Sequence, residues 1–235
     1  MEPFEVFVIV VAGGSGLRMQ APVKKQYLPL KGKPVLHHTL QAFGRVEEGR
    51  RIVLAVPGED LEYCRNTLPP LLDTRCELFV ISGGEKRLQS VANALAEVKR
   101  HCRDSSGTIV LIHDGVRPFV EPGLIRRCLR GAVRKGACVP ALSSVDTLKE
   151  VDEKGTVVRT VDRKRIFRIQ TPQAFRLDLI MKAFDIAAED GFEGTDDASV
   201  AEYAGYGVHV TEGSGRNIKI TTGEDMALAE FLLSH

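Results

Sequence analysis

"VFVIVVAGGSGLRMQAPVKKQYLPL", residues 6–30, decides how the rest of the chain is read. Its first seven residues are apolar without alternation, the pattern of a strand buried on both faces of a parallel sheet. The glycines that follow, Gly13, Gly14 and Gly16, let the backbone turn tightly and approach a ligand closely. Backbone N–H groups in such a turn can ring an anion, and Arg18 and Lys25 stand just beyond it. A triphosphate is the anion that best uses a backbone ring together with two flexible cations. A plain strand-to-helix turn would also place glycines here. The loop is not a phosphate-binding G-K-[ST] loop, and Met19 occupies the last glycine position of a dinucleotide fingerprint.

Working outward, four more unalternating apolar runs recur at 51–57, 77–82, 108–114 and 136–142. Helical periodicity lies between them: 86–100 sets Leu88, Val91, Ala92, Leu95 and Val98 on one face, and 122–136 and 177–191 read likewise. Thr222 and Asp225 have the spacing of a capping box ahead of a last helix. Strands alternating with helices predict a three-layer α/β sandwich on a mostly parallel, doubly wound sheet, one domain over 1–235. Ligands of such sheets bind beyond the carboxyl ends of the strands. Residues 143–165 break the pattern: charge-rich, β-branched and folded about "DEKG", they predict a protruding β-arm. An isolated two-stranded hairpin is marginal in water, so this arm is expected to pack on another subunit, making a homodimer.

Composition limits the partners. Net charge is +1, so no global field recruits nucleic acid or an anionic membrane. The five cysteines are scattered without a C-x-x-C pair, which fits reduced thiols better than a disulfide frame or zinc site. "MEPFEV" carries acids where a signal peptide needs bases, and no apolar run is long enough to span a bilayer, so a cytoplasmic protein is expected.

Further motifs sit at the expected sheet ends. "HDGVRPF" (113–119) closes a strand with Asp114 and returns Arg117, suited to a sugar hydroxyl, a magnesium ion or simply a structural ion pair. "SGGEKRLQSV" (82–91) repeats strand, glycines and helix start, with Gly84, Glu85 and Ser90 placed to face a flat base. "GRNIKITT" (215–222) sets Lys219 in what reads as a short strand, and "GTDDAS" (194–199) offers Thr195 beside two acids or a helix cap. "TVDRKRIFRIQTPQAF" (160–175) is basic with a Thr-Pro turn, and His113 is as readily a packed histidine as a catalytic one.

Jointly and in order, "AGGSGLRM…KKQYL", "GGEKRLQSV", "HDGVRPF", "TVDR…QTPQAF", "TDDAS" and "NIKIT" resemble the 2-C-methyl-D-erythritol 4-phosphate cytidylyltransferase family over nearly the whole chain. The resemblance implies a nucleotide-diphosphosugar-transferase-like fold and a magnesium-dependent reaction of CTP with methylerythritol phosphate that releases pyrophosphate. Ala12, Gly13, Gly14, Arg18 and Lys25 match the triphosphate site; Gly84, Glu85, Ser90 and Gly115 match the cytidine side, with Arg117 lining the pocket. Asp114, Thr147, Arg163, Thr171, Thr195 and Lys219 match substrate contacts, Arg163 and Thr171 reaching over from the neighbouring subunit. Arg18, Lys25, Arg163 and Lys219 are the residues that the resemblance makes catalytic. Lys24 stands where the family usually has proline, and Glu85 where it usually has aspartate. A ribitol 5-phosphate cytidylyltransferase shares much of the motif order, and a nucleotide sensor without turnover is the rival of another class.

Overall fold

The computed structural model describes residues 4–14, 23–72 and 75–234. All five continuous apolar runs are strands: β1 (Glu5–Val11), then, after the short pair β2 (Pro29–Leu30) and β3 (Lys33–Pro34), β4 (Arg51–Val56), β5 (Glu77–Ser82), β6 (Thr108–Asp114) and β7 (Ala137–Ser143). They are interleaved with α1 (Val35–Gly44), α2 (Leu61–Thr67), α3 (Arg87–His101) and α4 (Pro122–Lys135). Beyond β7 come β8 (Leu148–Val151), β9 (Val157–Val161), β10 (Phe167–Ile169), β11 (Gln173–Arg176), α5 (Leu177–Glu189), α6 (Asp197–Tyr203), β12 (His209–Glu212) and α7 (Gly223–Ser234).

The central sheet has eight strands, and β5, β4, β1 and β6 lie side by side in parallel register, Val8 opposite both Ile52 and Leu111. Successive side chains of each strand point to opposite faces. Val8 and Val10 therefore pack under α1, α2 and α4, while Phe7, Ile9 and Val11 pack under α3, α5 and α6. Burial on both faces is why the runs carry no polar alternation. Two layers of helices around the sheet make the expected three-layer sandwich.

One edge departs from a pure parallel sheet. β11 inserts antiparallel between β6 and β7, and β10 pairs antiparallel with the far half of β7 on the same side. β12 covers the other side of β7 in parallel. Chain 167–176 is thus one strand interrupted at Gln170–Pro172, and the interruption sets Thr171 just past the end of β6. Between β7 and β10 the chain leaves the sheet: β8 and β9 pair only with each other, around Gly155 at φ 81°.

Helix ends follow their sequence signals. α4 starts on Pro122 and stops at Gly136 with φ 87°, and Gly191 (φ 66°) follows α5, conformations in which glycine carries no Cβ penalty. At α7 the Thr222 N–H donates to the Asp225 carboxylate and the Asp225 N–H to Thr222 Oγ1, a reciprocal capping box. Three details differ from the sequence expectation. On α3 it is Ala94, not Ala92, that joins Val91, Leu95 and Val98 in the core. Lys219 lies on irregular chain, because residues 217–221 pair with the 116–117 turn and not with a strand. The antiparallel β11 was not legible as a strand at all.

Candidate active site

At the carboxyl ends of β1 and β6 the chain leaves a cleft of about 380 Å³. Ala12, Gly13, Gly14, Lys25, Gly84, Glu85, Ser90, Asp114 and Lys219 all line it, so nine residues from four separated motifs meet. The glycines are needed for close approach. Gly115 donates its N–H to Val11 O at 2.8 Å, and a Cβ there would stand 3.0 Å from the Ala12 Cβ. Gly84 donates to Ser90 Oγ at 3.0 Å and a Cβ on Gly84 would stand 2.4 Å from the Gln89 Cβ, while Gly13 lies in ordinary contact range of that same Ser90 oxygen. The loops after β1 and β5 therefore face each other across Ser90.

The two adjacent lysines have separate fates. Lys24 turns away to Glu59 and Asp60, both at 2.7 Å. Partial burial opposes its charge, and the two carboxylates outweigh that and hold its pKa above the ordinary value. Lys25 opens a short 3₁₀ turn, Lys25–Tyr27, and lines the cleft beside Gly14. Gln26, buried in the same turn, donates to Ala12 O at 2.8 Å and so pins the turn to the glycine loop. Arg18 lies outside the described residues.

Asp114 is the electrostatic hub. Its Oδ2 accepts from Lys219 at 3.0 Å and Arg117 at 3.2 Å, and Oδ1 faces Arg87 at 3.6 Å. Burial favours the neutral acid, but Lys219, Arg87 and Arg117 together outweigh it and hold the carboxyl well below the usual range. Arg87 also grips the fully buried Asp197 with two bonds of 2.9 and 2.7 Å. Burial works against the Arg87 charge, and Asp197 more than offsets it, so the guanidinium is held above its ordinary range. Three cations share the two carboxylates Asp114 and Asp197, Lys86 is paired with Glu193, and Lys25 and Glu85 also stand on the wall, so the cleft keeps a small positive excess.

Behind Asp114 the hydrogen bonds fix a histidine. The Asp114 N–H donates to Thr171 Oγ1 (3.2 Å), and because the carbonyl of Arg117 can only accept from His113 Nε2, Nδ1 of the neutral ring accepts from the Thr171 hydroxyl (2.9 Å). His113 Nε2–H then donates to Arg117 O at 3.1 Å. Burial lowers the pKa of His113 to about 4, so the ring is neutral and occupied on both nitrogens. It is a packed histidine.

Several expected residues stand elsewhere. Thr171 is buried in its own chain's site, bonded to His113 and Asp114, which corrects the expectation that it reaches over from a neighbour. Arg117 does not line the cleft; it braces Asp114 from behind and donates to Asn217 O at 2.9 Å. Thr147, Arg163 and Thr195 are exposed and outside the cleft, Arg163 donating to Val145 O. Arg87, Asp197 and Gln26 were missed from sequence. An arginine at a helix start in "EKRLQ" and an acid in "TDDAS" were complementary signals, but only the fold shows that they meet.

A doubly wound sheet whose carboxyl-end cleft is walled by glycines and cations defines a nucleotide-handling protein of the nucleotidyltransferase type. The comparisons with known proteins narrow this. The family model described as IspD, 2-C-methyl-D-erythritol 4-phosphate cytidylyltransferase, matches residues 6–235, and the chain belongs to that family. A relative of that name from Syntrophus aciditrophicus is 43% identical over 99% of this chain and 97% of its own. Among solved structures, a 4-diphosphocytidyl-2C-methyl-D-erythritol synthase from Anaerococcus prevotii superposes with a TM-score of 0.84 at 31% identity, covering 100% of this chain and 98% of that one. The cytidylyltransferase from Thermus thermophilus gives 0.77 at 32% identity, covering 98% and 100%.

Proposed function

We propose that this chain transfers a cytidylyl group from CTP to 2-C-methyl-D-erythritol 4-phosphate, giving 4-diphosphocytidyl-2-C-methyl-D-erythritol and pyrophosphate. The observation that carries the reading is that Lys25 and Lys219 line one cleft together with the glycine turns Gly13–Gly14 and Gly84 and the buried Asp114. An oxygen of the acceptor phosphate attacks the α-phosphorus of CTP. The bond from that phosphorus to the bridging oxygen breaks, and pyrophosphate leaves with the electron pair. Both reactants are anions, so positioning and charge neutralisation carry the catalysis. Lys25, joined by Arg18, serves the triphosphate; Lys219, joined by Arg163, serves the acceptor phosphate. Gly84, Glu85 and Ser90 form the cytidine side. No general base is required, because a phosphate monoester is largely ionised at neutral pH. The neutral, doubly bonded His113 fits that economy.

The cleft does not fit a protein-held magnesium ion. Asp114, the buried carboxylate of the cleft, is already committed to three cations. Magnesium usually keeps its waters and binds through substrate phosphates, so it enters here as part of the nucleotide substrate.

The hairpin β8–β9 supports a homodimer. Val145, Val151, Val157 and Val158 on and beside it are exposed by 75, 54, 55 and 60%. Arg163 and Thr147 stand there too, away from their own cleft, so each chain's arm supplies Arg163 to its partner's site. Mixing an Arg163→Ala protomer with a Lys25→Ala protomer restores one intact site per heterodimer, about a quarter of full activity for random pairing. No recovery in the mixture would refute the shared site. Five free cysteines fit a cytoplasmic setting, and no helix among the described residues can cross a membrane.

The test of the reaction is pyrophosphate release across the four nucleoside triphosphates, with methylerythritol phosphate, ribitol 5-phosphate or no acceptor. Release only with CTP and methylerythritol phosphate is expected. Turnover with ribitol 5-phosphate alone, or nucleotide binding without release, would overturn the assignment.

A further inference from the structure

At the other end of the sheet, where β7 begins and β11 ends, a second cleft of about 340 Å³ shares no residue with the first. Arg134 and Lys135 reach it from the end of α4, Arg176 from the end of β11, and Lys182 from α5. We propose that this cleft binds a small phosphate-bearing anion, at a site separate from the nucleotide cleft.

The charge balance carries the inference. A helix carboxyl end attracts cations, which accounts for Arg134 and Lys135 on α4. The same rule counts against Arg176 and Lys182. Arg176 is the N-cap of α5 and Lys182 follows in its second turn, at the positive end of that helix, where an anion belongs. Among the described residues no carboxylate pairs with Arg134, Lys135 or Lys182. Arg176 spends one nitrogen on Val133 O at 3.1 Å, and its buried Nε has no partner. The one acid on the wall, Asp178, turns its carboxylate to the Leu179 N–H of its own helix at 2.9 Å. Four cations from three elements therefore converge on a wall that holds one carboxylate, Asp178, which leaves an excess of positive charge.

A group with several charged oxygens would satisfy the cations and face the start of α5 at once. The volume lies within the range of small-molecule sites and exceeds the need of a bare ion, so the ligand class is a phosphorylated small molecule. The unused Tyr206 on the same wall offers its non-ionic part a hydroxyl and a ring.

The test is an amide-resolved NMR titration of the whole protein with inorganic pyrophosphate at constant ionic strength. The backbone amides of Asp178 and Leu179 report this cleft, and those of Gly13 and Gly14 report the nucleotide cleft independently. Saturable shifts at Asp178 and Leu179 are expected. In Arg134→Glu/Lys182→Glu, two exposed positions, that midpoint should rise by about tenfold or more while the Gly13 and Gly14 shifts persist. Arg134→Gln should weaken it in the same direction should the double reversal fold poorly. Shifts confined to Gly13 and Gly14, a non-saturating response at α5, or an unchanged midpoint in the variants would overturn the proposal. Because the two clefts are read separately, failure here leaves the proposed reaction standing, and the reverse also holds.

Discussion

Lys219 Nζ stands 3.0 Å from Asp114 Oδ2, so an ion pair at the cleft joins the loop before α7 to the carboxyl end of β6, alongside the bonds from Ile220 N–H to Val116 O and from Arg117 to Asn217 O. Lys219 is 39% exposed on its side chain whereas Asp114 is 9% exposed, so the lysine presents its remaining N–H groups outward. Lys219→Ala leaves Asp114 paired with Arg117 and Arg87, and the fold should persist. Acceptor turnover should fall by about 10²-fold, the scale for one donor to developing charge. Steady-state kinetics that show an unchanged kcat/KM for the acceptor would remove Lys219 from the chemistry.

Lys24 and Lys25 are neighbours in sequence with opposite surroundings, and the contrast is testable. Lys25→Ala should lower kcat by about 10²–10³. Lys24→Ala breaks partly exposed pairs with Glu59 and Asp60 and should cost about 1 kcal/mol of stability or less, with kcat nearly intact. Equal losses of kcat in the two variants would contradict the assignment.

Arg87 couples Asp197 to Asp114 and so joins α6 to the site through α3. Arg87→Ala would strand a fully buried carboxylate, at a cost of about 3–5 kcal/mol read by denaturant unfolding. The double variant Arg87→Ala/Asp197→Ala should recover a good part of that loss, because the stranded charge is gone. Additive losses in the double-mutant cycle would show that the pair is not coupled.

The ease of reading this sequence tracks how local each signal is. Runs buried on both faces, such as 108–114, announce themselves because every residue must be apolar. β11 is only "QAFR", four residues with a buried glutamine, and it is a strand because β6 and β7 leave a gap between them. Nothing local says so. Likewise the glycine loop, Asp114 and Lys219 were legible as cationic and anionic motifs, and the structure brings them to one cleft. Arg87 was not legible, since its partners Asp114 and Asp197 lie on other elements. The family resemblance implies Thr171 in a neighbour's site, whereas the break between β10 and β11 buries it beside Asp114 of its own chain.

A pH dependence follows from two buried histidines. Burial, then Lys33 and His38, lowers the pKa of His37 to about 4, and burial lowers that of His113 to about 4. The unfolded chain takes up protons near pH 6.5 while the native chain refuses them until about 4, so stability falls as pH drops through that window. Both ring nitrogens of His37 are buried without a partner, and apolar replacement of such a group is neutral or stabilising. His37→Leu should keep or raise the unfolding free energy at pH 7 and flatten the decline toward pH 4. An unchanged slope in the variant would place the acid sensitivity elsewhere.

The central claim is that fixed cations hold two mutually repelling phosphates in contact at the carboxyl ends of β1 and β6. A crystal structure with CTP and methylerythritol phosphate bound measures this directly. Lys25 Nζ should lie within hydrogen-bond reach, about 2.7–3.2 Å, of the triphosphate, and Lys219 Nζ within the same reach of the acceptor phosphate. Nucleotide bound elsewhere, or both ammonium groups directed into solvent, would contradict the account.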